Sequence, residues 1–204
     1  MPATKSKKDV LTAYRCGEIL EAATRVFAAK GFHGATIEDV AHAAGIAKGT
    51  IYLYYSSKQD VYIQALRHNL LELNRTLGAQ VETESTSRGK LEVFVRSGFE
   101  FLDKNRDFFR IYFVELERSL LRQSPEESEL SDLYLDRIAL IRRILEQGIE
   151  RGEVAVERPD AVAYAIVDLV RGITRQRLSN TWNSTIEEDV TLLLDLIWQG
   201  IQAA

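Results

Sequence analysis

Cysteine, histidine and proline are scarce in this chain of 204 residues. The single cysteine, Cys16, excludes an internal disulfide and suits a reducing compartment. We predict that it is buried as a small apolar residue, because it shares a helical face with Ile19 and Ala23. One cysteine and three histidines without ligand spacing give no candidate metal site, so we expect no metal and no cofactor.

Long apolar runs are also absent. No stretch of about eighteen apolar residues occurs, and the basic start MPATKSKKDVL lacks the apolar segment of a secretory signal. We therefore expect no membrane span and predict a cytoplasmic protein. Strand-like alternation is missing too, which leaves an all-α fold as the expectation.

Apolar residues at spacings of three and four predict about nine helices. The first covers residues 9–30 and is followed by two short helices, over 37–44 and 47–54, and by a long helix from about residue 58. The polar segment 81–89, VETESTSRG, is the best candidate for a boundary between a head and a body. Further helices are predicted over 90–104, 107–123, 126–151, 160–179 and 186–202.

Charge is unevenly distributed along the chain. The net charge is −4, but residues 1–60 contain eight Lys and Arg against six Asp and Glu, which leaves +2 there and −6 for the remainder. A weakly basic head on an acidic body fits a protein that contacts nucleic acid at one end.

Residues 31–60, GFHGATIEDVAHAAGIAKGTIYLYYSSKQD, predict two short helices joined by a tight turn at Gly45. Thr36, with Asp39 three residues later, is a signal for the start of the first of these helices. A packed pair of short helices of this kind suits entry into a DNA groove.

The second short helix has two different faces. Ile51 and Tyr55 are four residues apart and are expected to pack inward, while Gly49 allows a phosphate to approach the backbone closely. Any one outward residue could be an ordinary packing or solvated side chain. The favoured interpretation of the set is DNA contact through Lys48, Thr50, Tyr52 and Tyr54.

The N-terminal third resembles the tetracycline-repressor (TetR) family of bacterial transcription factors. The matching residues are ILEAA (19–23), Phe27, KGF (30–32), ATI (35–37), DVA (39–41), AGI (44–46), KGTIY (48–52), Tyr55 and Lys58. The resemblance implies a helix-turn-helix head in residues 1–60, with a disordered arm over 1–8. It also implies a helical ligand-binding and dimerisation body in residues 61–204, and a homodimer.

Carried over by position, the resemblance assigns DNA contacts to Thr36, Lys48, Gly49, Thr50, Tyr52, Tyr54 and Lys58. Two positions depart from the family pattern. Ala47 stands where Ser or Thr is usual, so a helix cap is expected to be missing. Leu53 replaces a residue that is more often polar.

Aromatic residues are dense in the middle helices and could line an apolar pocket for a hydrophobic effector, although any single ring is more often ordinary core. The predicted pocket residues are Phe94, Phe101, Phe109, Tyr112, Phe113, Tyr134 and Arg171. The GTIYLYY and GIERGEV stretches are similar to repressors of fatty-acid degradation that respond to acyl-CoA, which suggests an effector of that kind.

The last two helices carry apolar stripes that either form a dimer interface or complete the core of one chain. The resemblance favours the interface, with Val162, Ile166, Leu169, Val190, Leu194 and Ile197 as its predicted residues.

The sequence thus predicts a repressor that binds a near-palindromic operator as a dimer and is released by a small hydrophobic effector. A helical regulator controlled by a protein partner is an open alternative. An all-helical enzyme is disfavoured, because no catalytic constellation is found.

Overall fold

A computed structural model describes residues 7–119, 125–179 and 183–203, and within them it contains nine helices and no strand. The helices are α1 (Lys7–Gly34), α2 (Ile37–Ala43), α3 (Lys48–Ile51), α4 (Lys58–Val81), α5 (Ser87–Lys104), α6 (Arg106–Ser119), α7 (Pro125–Glu150), α8 (Pro159–Ser179) and α9 (Ile186–Ile201). The predicted all-α class is confirmed. Of the predicted arm, residues 1–6 lie outside the described residues, and the other two lie in α1. No helix of the described ranges is long and apolar enough to cross a membrane.

Hydroxyl side chains cap the starts of several helices. The Thr36 hydroxyl accepts a hydrogen bond from the Asp39 N–H at 3.1 Å, and the Thr36 N–H donates to the Asp39 carboxylate at 3.0 Å. This reciprocal pair satisfies two backbone donors that the helix itself leaves unpaired, and it fixes where α2 begins. Side-chain caps also precede α4, α5 and α9, at Ser57, Thr86 and Thr185.

Helix α4 connects the two ends of the molecule. It packs against α1 near the head and against α5 and α7 in the body. Inside the α1–α4 contact, the Asn69 amide donates to the Thr24 hydroxyl at 3.2 Å, and both side chains are buried. One continuous hydrophobic cluster extends from Ile19 in α1 to Ile201 in α9. The polar segment 81–89 therefore contains a loop without dividing the core, and the division at residue 60 stays a prediction.

Two glycines with positive φ shape the head. Gly31 leaves the helical conformation within α1, with φ 69° and ψ 168°, and a last short turn follows it as far as Gly34. Gly45 has φ 66° in the turn between α2 and α3. Other residues adopt this left-handed conformation only with strain, so both turns depend on glycine.

The prediction that Cys16 is buried is wrong. The Cys16 side chain is half-buried. Burial along α1 begins at Ile19, about one turn later, so Cys16 lies at the edge of the packed face.

Candidate nucleic-acid interface and ligand cavity

The inner side of α3 is fixed by the core of the head. Ile51 and Val40 are fully buried, and Tyr55 is 8% exposed. The prediction that Ile51 and Tyr55 face inward is therefore confirmed. Burial and an interaction with the Cys16 thiol raise the pKa of the Tyr55 phenol, which consequently stays protonated.

Helix α3 is shorter than predicted and ends at Ile51. The chain continues in tight turns, in which the Leu53 N–H bonds to the Thr50 carbonyl at 3.3 Å and the Tyr54 N–H bonds to the Ile51 carbonyl at 3.0 Å. Bonds of this spacing tighten a helix end instead of extending it. Ala47 provides no side-chain cap, as its missing hydroxyl predicted.

The outer side of α3 and the turn after it present a continuous exposed surface. Tyr52 is 48% exposed, Leu53 78% and Tyr54 37%. Large side chains held outward by a buried inner face can reach base edges in a groove. Gly49 lies in the same surface, and an added side-chain carbon there would meet no atom within 4 Å.

Lys48 is paired with an acid in the free protein. Its ammonium group bonds to the Glu38 carboxylate of α2 and lies 5.9 Å from the centre of the Tyr52 ring. The Glu38 hydrogen bond raises the pKa of Lys48, and the same bond lowers the pKa of Glu38. Both side chains are exposed, so a phosphate can compete with Glu38 for this lysine.

Lys58 is held by the backbone of the head. Its ammonium group donates to the carbonyl oxygens of Phe32 at 2.8 Å and Ala35 at 3.0 Å, and it lies 4.5 Å from the centre of the Phe32 ring. The lysine thus joins the first turn of α4 to the end of α1. Its predicted phosphate contact stays a prediction, and this tie is a role that the sequence had not indicated.

Thr36 combines capping with exposure. Its oxygen accepts the Asp39 N–H, but a hydroxyl that accepts one bond can still donate its own hydrogen. The Thr36 side chain is exposed at the start of α2, where the positive end of the helix favours an anion. This geometry suits the predicted phosphate contact.

The body contains an apolar cavity of about 60 Å³. Six of the seven predicted pocket residues line it: Phe94, Phe109, Tyr112, Phe113, Tyr134 and Arg171. Phe101 does not. Its buried ring packs behind the cavity wall, against Phe108 and Phe109.

Two arginines reach this cavity in different ways. Arg171 is 33% exposed in its side chain and lies 3.3 Å from the Asp168 carboxylate, which also accepts the Tyr134 hydroxyl at 2.7 Å. Arg137 is buried, donates to the Tyr112 hydroxyl, and lies over the Tyr112 and Tyr134 rings at 5.5 and 5.6 Å.

The predicted pocket left out Arg137 and the aliphatic part of the wall, formed by Leu73, Leu77, Val167 and Val170 with Gly98 and Thr174. A signal for Arg137 was present. It falls between Tyr134 and Ile141 on the buried stripe of α7, where every neighbouring position is apolar. A cation inside an apolar stripe is unusual and points to a partner or a ligand.

Four of the six predicted dimer residues are buried within the single chain. Ile166, Val190, Leu194 and Ile197 are at most 5% exposed, because α8 and α9 use those stripes to pack onto the body. Their assignment to a surface for a partner is wrong. Leu169 is exposed and Val162 is half-buried. The large apolar residues exposed on these two helices are Tyr164, Leu169, Leu192 and Leu196.

Arg177, near the end of α8, has a structural role. Its guanidinium group bonds to the buried carboxylate of Asp189 in α9 and to Asp103 of α5 at 3.3 Å. It also donates to the Ser184 carbonyl at 3.2 Å. These two ion pairs join α5, α8 and α9 where the C-terminal ends of α5 and α8 lie next to the start of α9.

The head is a helix-turn-helix whose second helix, α3, is exposed, and it is joined to an all-helical body with an apolar cavity. This architecture defines a DNA-binding transcription regulator. Family models agree with it over both parts of the chain. Residues 19–65 match bacterial regulatory proteins of the tetR family, and residues 84–175 match the tetracyclin repressor-like C-terminal domain. The chain belongs to the TetR family, a family of regulators and not of enzymes.

Individual relatives extend the match. The uncharacterized regulator YfiR of Bacillus subtilis is 30% identical over 179 residues, which cover 86% of this chain and 83% of that protein. The transcriptional repressor KstR2 of Mycobacterium tuberculosis is 29% identical over 160 residues, 78% of each chain. The structure of FadR from Bacillus subtilis in complex with stearoyl-CoA has a TM-score of 0.76 at 22% identity, over 91% of this chain and 99% of that one.

Proposed function

We propose that this regulator is a repressor that binds a near-palindromic operator as a homodimer and is released by a small hydrophobic effector. The observation that carries the proposal is the exposed row Tyr52, Leu53 and Tyr54 beside a helix whose inner face is locked by Ile51 and Tyr55. The similar protein KstR2 is a repressor, which supports the same sign of regulation here. Such a protein acts in the cytoplasm.

The dimer follows from the small size of one head. A single helix-turn-helix makes few contacts, whereas two heads related by a twofold axis read two half-sites about one DNA turn apart. We assign the dimer surface to the exposed residues Tyr164, Leu169, Leu192 and Leu196. Apolar side chains exposed together on two adjacent helices are typical of a surface that another chain covers.

Effector release follows from the size and position of the cavity. Its volume of about 60 Å³ is far below that of small-molecule pockets, which is about 300–1,000 Å³, so an effector must separate the helices around it. Leu73 and Leu77 of α4 line the cavity, and Lys58 at the start of α4 holds the head. A ligand that prefers the expanded arrangement therefore moves the head and lowers DNA affinity.

A fatty acyl compound is our candidate effector. The cavity wall is almost wholly apolar, and the similar FadR structure contains stearoyl-CoA. Coupling between effector and operator of the size usual in allosteric proteins changes DNA affinity about 5- to 150-fold.

The DNA half of the proposal is tested by fluorescence anisotropy with the intergenic region upstream of the gene and with random DNA of equal length. We expect clearly tighter binding to the upstream region, and Tyr52→Ala is expected to reduce that preference. Equal affinity of the wild type for both sequences would overturn the proposal. Adding a fatty acyl compound to the complex then tests release.

A further inference from the structure

Arg137 is a buried cation without a carboxylate partner. Among the described residues, no carboxylate oxygen lies within 4.0 Å of its guanidinium group, and its one hydrogen bond goes to the neutral Tyr112 hydroxyl. A guanidinium group has five N–H donors and does not lose its charge in proteins. Burying such a charge without a counterion is costly, and two aromatic faces offset only part of the cost.

The position of Arg137 gives this charge access to a ligand. The residue lines the apolar cavity and also a polar groove between α4 and α7, which contains Arg142, Arg143, Asp136 and Glu146 as well. It therefore lies where apolar space meets solvent-accessible polar space. A molecule in the cavity would place its polar end here and its apolar part toward α5 and α8.

Arg171, the second arginine that lines the cavity, differs from Arg137 in both burial and pairing. It is partly exposed and already paired with Asp168. An additional anion at Arg171 would have to compete with that carboxylate, whereas an anion at Arg137 would be its first.

We propose that Arg137 binds an oxyanion, a carboxylate or a phosphate, carried by an amphipathic effector whose apolar part fills the cavity. The proposal rests on the proposed effector function and names the chemical class of the effector and the residue that selects it. Arg137 is then the specificity residue of the cavity, and its charge is retained for the ligand at the expense of stability.

Calorimetric titration of the full chain tests this with three probes that share one alkyl chain: octanoate, mono-octyl phosphate and octanol. We expect the wild type to bind at least one oxyanion about 10- to 100-fold more tightly than octanol, the range for hydrogen bonds to charged groups. The better of the two anions identifies the oxyanion. Equal affinity for all three probes, or binding of none, would overturn the proposal.

Variants separate Arg137 from the general charge of the cavity. Arg137→Met keeps most of the side-chain volume and should bring the oxyanion down to the affinity of octanol, while Arg171→Gln should leave the preference intact. Arg137→Met should also unfold at a temperature no lower than the wild type, because it removes an unpaired buried charge. If Arg137→Met does not fold, Arg137→Lys is used, and it should retain part of the preference. A full preference for the oxyanion in Arg137→Met or in Arg137→Lys, or loss of the preference in Arg171→Gln, contradicts the proposal.

Operator binding by the same samples distinguishes failure of the proposed Arg137 site from failure of the proposed regulator function. Sequence-specific DNA binding without discrimination among the probes would overturn the role of Arg137 and leave the regulator function intact. Discrimination among the probes without specific DNA binding would overturn the proposed function instead.

Discussion

At the scale of single residues, the first residues of α3 and α4, Lys48 and Lys58, carry the same charge but are held differently. Lys48 is exposed and bonded to a side chain, Glu38, that can move away. Lys58 is half-buried and bonded to two backbone carbonyls that cannot. The sequence assigned both to DNA contact, because charge and position look alike without the partners. The difference leads to separate predictions for the two sites.

Replacing Lys58 by Met should destabilise the head as well as weaken DNA binding. The variant loses two charged hydrogen bonds to the end of α1, worth about 1–3 kcal/mol of unfolding free energy after allowance for partial exposure. Lys48→Met is the matched control, and it should weaken DNA binding with little change in the unfolding midpoint. Thermal unfolding of both variants checks this. A Lys58→Met protein as stable as the wild type would show that the tie to α1 contributes nothing.

Neutralising Glu38 should have the opposite effect on DNA binding. Glu38→Gln releases Lys48 from its ion pair and removes a negative charge beside a predicted phosphate contact, so binding to operator and random DNA should tighten together. The gain should be largest at low salt and shrink as salt is raised. Glu82→Gln, at the far end of α4, changes the net charge equally and should have a much smaller effect. Anisotropy titrations over a salt series measure both, and equal effects would rule out a local role for Glu38.

At the scale of elements, the sequence predicted most of the helices because caps and apolar periodicity are local. Thr36 marks a helix start that the structure confirms, and the last helix begins at Ile186 as predicted. Helix α3 was predicted one turn too long, because after Ile51 the chain forms tight turns with hydrogen bonds of three-residue spacing, which no stop residue in the sequence signals. The prediction that the apolar stripes of α8 and α9 form a dimer interface was wrong for a related reason. Periodicity shows that a face is buried, but not whether the same chain or another buries it.

The turn before α3 and α3 itself contain glycines with different roles, Gly45 and Gly49. Gly45→Ala places a side chain at φ 66° and should cost about 1–2 kcal/mol of unfolding free energy. Gly49→Ala meets no atom within 4 Å and should leave stability unchanged or slightly raised, since alanine favours a helix. Gly49→Ala should nevertheless bind operator less tightly, because Gly49 is predicted to lie against the DNA backbone, where the new methyl group would hinder the approach. Thermal unfolding and DNA titrations of both variants measure these effects. Full operator affinity in Gly49→Ala would show that Gly49 does not contact DNA.

At the scale of the whole molecule, α4 is the element through which the cavity and the head can influence each other. Its middle lines the cavity at Leu73 and Leu77, and its first turn holds the head through Lys58. The sequence predicted a long helix from about residue 58, and the structure shows that this helix of 24 residues carries both sites. The cavity wall combines five helices, and so Arg137 could be noticed in the sequence as an oddity but not assigned to a ligand.

The proposed dimer is a property of the whole molecule, and one substitution on its proposed surface tests it. Leu196 is exposed on α9, and in a twofold interface each substitution acts twice. Burial of one leucine contributes about 1.5–3 kcal/mol, so Leu196→Glu should dissociate the dimer at micromolar concentration by removing two such contacts and adding two charges. Operator affinity should fall with it, because the two heads are no longer linked. Leu71→Glu makes the same change at an exposed site on α4 and should leave a dimer. Sedimentation velocity measures both variants, and a Leu196→Glu protein that sediments as the wild-type dimer would move the interface away from α9.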